Sequence, residues 1–187
     1  MTIVQSTVLK APEKTEPSRS SSPQVQEAVT SVIADIRARG DEAVREYSLK
    51  FDNYGPDSFL IQGEQLQEIL DRVPEQVIKD IKFVQDQVRK VAQAQLQSMG
   101  EFEIETLPGV HIGQKNVPID SAGAYVPGGK YPLLASAHMT ILTAKVAGVK
   151  RVVACTPLIQ GEIPDATVAA MHLAGADEIY LLGGIQA

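Results

Sequence analysis

Two short glycine-rich segments carry the residue types best suited to holding a ligand. In Tyr125-Val126-Pro127-Gly128-Gly129-Lys130 the glycines let backbone approach a ligand closely, Tyr125 offers a flat ring and a hydroxyl, and Lys130 offers a cation for phosphate. In Gly183-Gly184-Ile185-Gln186 a second glycine pair follows the apolar run Ile179-Tyr180-Leu181-Leu182, a place where a helix N-terminus ordinarily receives an anion. The chemistry these residues allow is cofactor binding at the C-terminal ends of parallel strands. Neither segment fits G-x-G-x-x-G or G-x-x-x-x-G-K-[ST]. Pro-Gly-Gly is equally the chemistry of a simple turn, and a loop lysine is equally a solvated charge. Two glycine-rich strand ends on one sheet edge make a better case than either alone.

A catalytic centre is harder to assemble. His111, His138 and His172 are scattered, with no pair at i, i+4 and no H-E-x-x-H, so the spacing gives no metal ligands. Ser136 lacks a nucleophile-elbow context. Cys155 is the single cysteine, which excludes an internal disulfide framework, and within Val152-Val153-Ala154-Cys155-Thr156 it reads as a small buried strand residue. The residues thus outline a cofactor platform without catalytic or metal-binding groups.

The elements that must position this platform are expected in four stretches. Residues 1–22 are rich in Ser, Thr, Pro, Lys and Glu, lack periodicity and read as a disordered tail. Residues 23–100 read as a helical region. Ser22-Pro23 starts a helix with Val25, Val29, Val32, Ile33 and Ile36 at helical spacing, ending at Gly40, and Asp41 is positioned to cap the next. A third helix carries Leu66, Ile69, Leu70 and Val73. Pro74 opens the longest pattern, with Val77, Ile78, Ile81, Val84, Val88 and Val91 on one stripe, suited to core packing or to a subunit contact.

Residues 101–122 read as a β-hairpin connection. Phe102, Ile104 and Thr106 alternate with Glu103 and Glu105 before Pro108-Gly109, and Val110, Ile112, Val117 and Ile119 form the return. Residues 123–187 read as the first part of a Rossmann-like parallel sheet. Strands at Ala124–Val126, Val152–Cys155 and Ile179–Leu182 alternate with helices at Leu133–Ala147 and Ala166–Ala174. An internal echo supports this, since Ala147-Gly148-Val149-Lys150-Arg151-Val152 and Ala174-Gly175-Ala176-Asp177-Glu178-Ile179 each end a helix on glycine and enter a strand through charged residues. The fold class is therefore α/β, a helical N-terminal region and hairpin leading into an incomplete sheet. No helix follows the last strand, so either that strand ends the protein or the chain is the front part of a longer one.

With 187 residues, 44% of them apolar, a sizeable core can be buried. A formal net charge of −6 gives no basic footprint for nucleic acid or anionic membrane, and no apolar stretch reaches the roughly 20 residues of a membrane span. A soluble, cytoplasmic protein is expected.

Several blocks closely resemble the histidinol dehydrogenase family in order. These are Ile36-Arg37-Ala38-Arg39-Gly40-Asp41-Glu42-Ala43, Tyr47-Ser48-Leu49-Lys50-Phe51-Asp52, Ala124-Tyr125-Val126-Pro127-Gly128-Gly129, Ala144-Lys145-Val146-Ala147-Gly148-Val149-Lys150, and His172 through Tyr180 followed by Gly183-Gly184-Ile185-Gln186-Ala187. The resemblance implies a zinc- and NAD-dependent homodimer that oxidises a small-molecule alcohol, histidinol in the biosynthetic case, through an aldehyde to a carboxylate in two hydride transfers. It places Tyr125 and Gln186 on the family's NAD-contacting tyrosine and glutamine, with Pro127 in the same loop. It also places the zinc ligands and the Glu-His acid/base pair in sequence beyond Ala187, so that this chain alone is expected to be inactive. The stretch Lys130 to Thr140, with Tyr131 and His138, is more similar to paralogues such as sulfopropanediol dehydrogenases, which leaves the alcohol open. A non-catalytic dinucleotide-binding or dimerisation module, and a scaffold offering its long amphipathic helix to a partner, are the alternatives from other functional classes.

Overall fold

Ser22 caps the first helix as expected, its hydroxyl accepting the Val25 N–H at 3.3 Å ahead of Pro23 in the first turn. The computed structural model describes residues 22–128 and 132–187, so the expected tail and residues Gly129, Lys130 and Tyr131 lie outside the described residues. Helix α1 spans Pro23–Arg39 and α2 spans Asp41–Asp52. Gly40 rather than Asp41 holds the N-cap of α2, which leaves Asp41 in the first turn, where its charge still favours the helix dipole. Arg39 and Tyr47 converge on Asp35 and join the two helices, and together they hold its carboxyl at about 2, well below the usual carboxylate range. The apolar stripe expected to bury α1 is mostly not covered. Val32 is buried, whereas Val25 and Ile33 are exposed.

A two-residue strand, β1 (Leu60–Ile61), separates α2 from α3 (Gly63–Arg72). Helix α4 follows at Glu75–Ser98. Its inward line differs from the expected valine stripe. Ile81, Gln85 and Ala92 are buried, while Val84 and Val91 are exposed. Gln85 is the polar residue that displaced the pattern. Its Nε2 donates to Ala170 O at 2.9 Å and faces His138 Nδ1 at 3.2 Å, so both groups exchange water for a buried hydrogen bond. Val88 and Val91 instead edge an apolar hollow of about 350 Å³ shared with Met139 and Thr143.

The hairpin pairs β2 (Phe102–Leu107) with β3 (Val110–Gln114) antiparallel, Ile104 opposite Ile112. Val117 and Ile119 do not continue β3, because Pro118 between them has no N–H to give to a ladder. Strand β4 (Ser121–Tyr125) then leads to a helix in three parts: α5 (Leu134–Ala137), a π-helical turn (His138–Leu142) and α6 (Thr143–Val146). Strand β5 (Arg151–Thr156), helix α7 (Asp165–Ala174) and strand β6 (Glu178–Leu181) complete the order.

The main sheet runs β1-β6-β5-β4, with β4, β5 and β6 parallel and β1 antiparallel on the edge of β6. The α/β class read from the sequence is the observed one. The two-residue β1 was absent from that reading, since no periodicity exists over two positions. Ala124, Val126, Val152, Ala154, Ile179 and Leu181 form the buried face of the sheet, against Ile141 and Leu142 of the π turn and Val168 and Met171 of α7. Small residues on β4 and β5 let these helices sit close to the sheet. The echoed segments are joined by Asp177, which accepts from Val152 N–H at 2.6 Å and from Lys145 Nζ at 2.8 Å.

Pro157, just after β5, wedges between the two glycine-rich strand ends. A methyl group on Gly128 would come 2.7 Å from Pro157 Cγ, and one on Gly183 would overlap Pro157 more severely. These two glycines make room for Pro157, a packing role beside the ligand approach expected of Gly128. Gly183→Ala is expected to destabilise the fold by about 1–3 kcal/mol through overpacking, read as a lower urea midpoint at constant slope.

Burial pushes the His138 imidazole below its ordinary range. Ala170 O can only accept, so Gln85 Nε2 is the atom facing His138, and Nδ1 must be an unprotonated acceptor. Protonation there would oppose two donors. The unfolded chain takes up the proton near about pH 6.5, so the contribution of His138 is complete above that value and is lost as pH falls through the lower folded value. Urea unfolding of the wild type is expected to show stability falling from pH 7 to 5. In His138→Gln that dependence should be visibly flatter, and an equal slope in both would show that His138 does not carry it.

Candidate functional site

The candidate site is the C-terminal edge of β4, β5 and β6, together with the sheet face opposite α7, where Asp41, Val44 and Arg45 of α2 border a hollow with Tyr180 and Leu182. Strand alternation decides which side chains lie there. With Ala124, Ala154 and Ile179 turned to the core, their neighbours Tyr125, Cys155 and Tyr180 fall in one row on the opposite face, paired in register. They line an open hollow of about 440 Å³ with Gly123, Val153 and Leu182.

Tyr125 ends β4 with 43% of its surface exposed, and its hydroxyl accepts the Gly184 N–H at 3.2 Å. This contact crosses over β5 and links the two strand ends that the sequence singled out. In this contact the Tyr125 hydroxyl oxygen is the acceptor and the backbone N–H the donor.

Gln186 is 5% exposed. Its Nε2 donates to Asp52 Oδ2 at 2.9 Å, while its buried Oε1 has no hydrogen-bond partner. The amide folds back over Gly184, whose φ of 68° turns the chain so that Gln186 lies inward. Tyr125 and Gln186 are therefore brought to the same turn, one through its hydroxyl and the other through packing. Together they place an exposed aromatic ring and a buried, unpaired acceptor at one turn. The position of Lys130 lies outside the described residues.

Two members of this edge escaped the sequence reading. Pro157 shapes both glycine turns, and Asp52 holds Gln186 from α2, 134 residues away. The block ending in Phe51-Asp52 carried a signal, but only as part of a resemblance, with no chemistry attached.

The remaining titratable groups do not converge here. Burial pushes the Cys155 thiol up, keeping it protonated and suited to packing rather than attack. His111 is exposed on β3 with Glu103 at 3.5 Å, His172 is exposed on α7, and His138 is occupied by Gln85. Among the described residues no three His, Cys, Asp or Glu side chains gather closely enough to hold a metal ion, so these residues do not fit a zinc site. No helix among them is long and apolar enough to cross a membrane.

Comparison with known proteins gives this geometry a family. A sequence model described as histidinol dehydrogenase matches residues 15–187. A histidinol dehydrogenase homolog of Shouchella clausii is 56% identical over 164 residues, covering 88% of this chain and 39% of that protein. A sulfopropanediol 3-dehydrogenase of Ruegeria pomeroyi is 44% identical over 170 residues, covering 90% of this chain and 39% of that protein. The crystal structure of histidinol dehydrogenase from Elizabethkingia anophelis superposes with a TM-score of 0.80 at 29% identity, over 95% of this chain and 39% of that one. The chain thus spans about two fifths of the length of these relatives, and over that span it belongs to the histidinol dehydrogenase family.

Proposed function

We propose that the chain is the N-terminal part of an NAD- and zinc-dependent alcohol dehydrogenase, a cytoplasmic homodimer, and that its own share of the work is to hold NAD. The contact between Tyr125 and Gly184, which sets an unpaired buried Gln186 acceptor beside an exposed aromatic ring, is the observation that carries this reading. When bound, NAD supplies the hydride acceptor for oxidation of an alcohol through an aldehyde to a carboxylate. Tyr125 would lie against a flat portion of the cofactor and donate its hydroxyl proton, and Gln186 Oε1 would accept from a hydroxyl or amide of the same molecule. The face carrying Tyr125, Cys155 and Tyr180 would exclude water from one side. Zinc and the acid/base pair are assigned to sequence beyond Ala187, and no step in this chain's share runs through them.

L-histidinol, oxidised to L-histidine, is the leading substrate by family. A second reading, another polar alcohol of the sulfopropanediol type, draws on the 44% identity to a sulfopropanediol 3-dehydrogenase, against 38% to the histidinol dehydrogenase of Methanosarcina barkeri.

The isolated 187-residue chain is expected to oxidise neither alcohol and to bind NAD only in the millimolar range, about −4 kcal/mol, by isothermal titration. Micromolar affinity would show that the first two glycine turns suffice for the cofactor. Tyr125→Ala in the full-length enzyme is expected to raise KM for NAD about tenfold with a smaller effect on kcat. An unchanged KM would remove Tyr125 from the site.

A further inference from the structure

We propose that Asp52 is a positioning residue that fixes the Gln186 side-chain amide, so that Oε1 is presented as a bare acceptor to a hydroxyl or amide donor of the cofactor. The inference rests on the reading of Gln186 as a cofactor contact.

Asp52 is the last residue of α2, where a carboxylate faces the negative end of the helix dipole and is locally unfavourable. Lys50, the cation of that last turn, lies 5.4 Å from the centre of the Phe51 ring. A residue that breaks a local rule in this way points to a compensating tertiary role. The compensation is the 2.9 Å hydrogen bond from Gln186 Nε2.

That bond sets the orientation of the amide chemically. A carboxylate only accepts, so Gln186 must turn its N–H toward Asp52, and the flipped amide would bring two acceptors together at that distance. Oε1 is then directed away from Asp52, buried and unpartnered, a state that costs free energy until a donor reaches it. Gly184 completes the constraint from below. A methyl there would come 2.8 Å from Oε1, so the amide rests directly on the glycine whose N–H is given to Tyr125. Asp52, Gln186, Gly184 and Tyr125 form one chain of contacts from α2 to the end of β4, and through it the helical region sets the geometry of the cofactor turn.

The experiment uses the full 187-residue chain, ¹⁵N-labelled, with Asp52→Ala, Asp52→Asn and Gln186→Ala, each titrated with NAD by heteronuclear NMR. Core resonances of Ile141 and Leu181 serve as the control for folding. Asp52→Ala is expected to shift the Gln186 side-chain amide pair and to weaken the Kd for NAD about tenfold. Asp52→Asn, which keeps an acceptor oxygen in place, should restore both to within about twofold of wild type. Unmoved Gln186 amide signals in Asp52→Ala would overturn the contact. Shifted signals with unchanged NAD affinity, while Gln186→Ala binds weakly, would overturn the positioning role alone. Gln186→Ala binding NAD as well as wild type, or wild type not binding at 10 mM, would overturn the cofactor reading and the role of Asp52 with it.

Discussion

Burial of one face of β4, β5 and β6 beneath α7 and the π-containing helix is the constraint on which the rest of the structure depends. Parallel strands need crossover connections, and the two crossovers here lie side by side on the same face of the sheet, touching each other as well as the strands. Ala124 and Ala154 are small enough for Ile141, Leu142, Val168 and Met171 to reach the sheet, and all of these are buried. Once that face is committed, the period of two along each strand commits the other. Tyr125, Cys155 and Tyr180 must line the opposite face because their neighbours line this one.

Polar contacts then fix how the helices meet this core. Gln85 joins α4 to both α7 and the π turn by donating to Ala170 O and to His138, at the cost of a neutral histidine. Asp177 joins the start of β5 to Lys145, and Arg72 holds Asp165 at the start of α7 through two hydrogen bonds of 2.8 and 2.7 Å. Asp177 is exposed, and its carboxyl lies below the usual range chiefly because Lys145 donates to it, a modest contribution in solvent. The buried Gln85 contact differs in kind, since removing one partner would leave a desolvated polar group behind.

The cofactor edge inherits its shape from packing rather than from loop freedom. Pro157 stands between Gly128 and Gly183, and the turn at Gly184 then places Gln186 inward against Asp52. Glycines that look like a ligand cradle can thus be required by a neighbouring proline. The side chains that these turns bring to the proposed cofactor site are Tyr125 and Gln186. Asp52 extends the edge into the helical region, which ties a helix otherwise lightly packed to the part of the molecule assigned to the cofactor.

The sequence by itself determined the element types, because hydrophobic period and capping chemistry are local. Ser22-Pro23, Gly40 and Pro74 marked helix boundaries within a residue or two, and the repeated Ala-Gly helix ends announced the two crossovers. It also marked both glycine-rich turns and Tyr125 by residue type, whereas Gln186 stood out only through the family resemblance. Only the tertiary structure decided which apolar residues are buried. Val84 and Gln85 are adjacent on α4, and their exposure depends on where α7 lies rather than on their polarity. It alone paired β1 with β6, set Pro157 against two glycines and brought Asp52 to Gln186 across 134 residues. Contacts of that separation leave no periodic trace in a single sequence, because they are fixed by the packing of whole elements and not by the preferences of neighbouring residues.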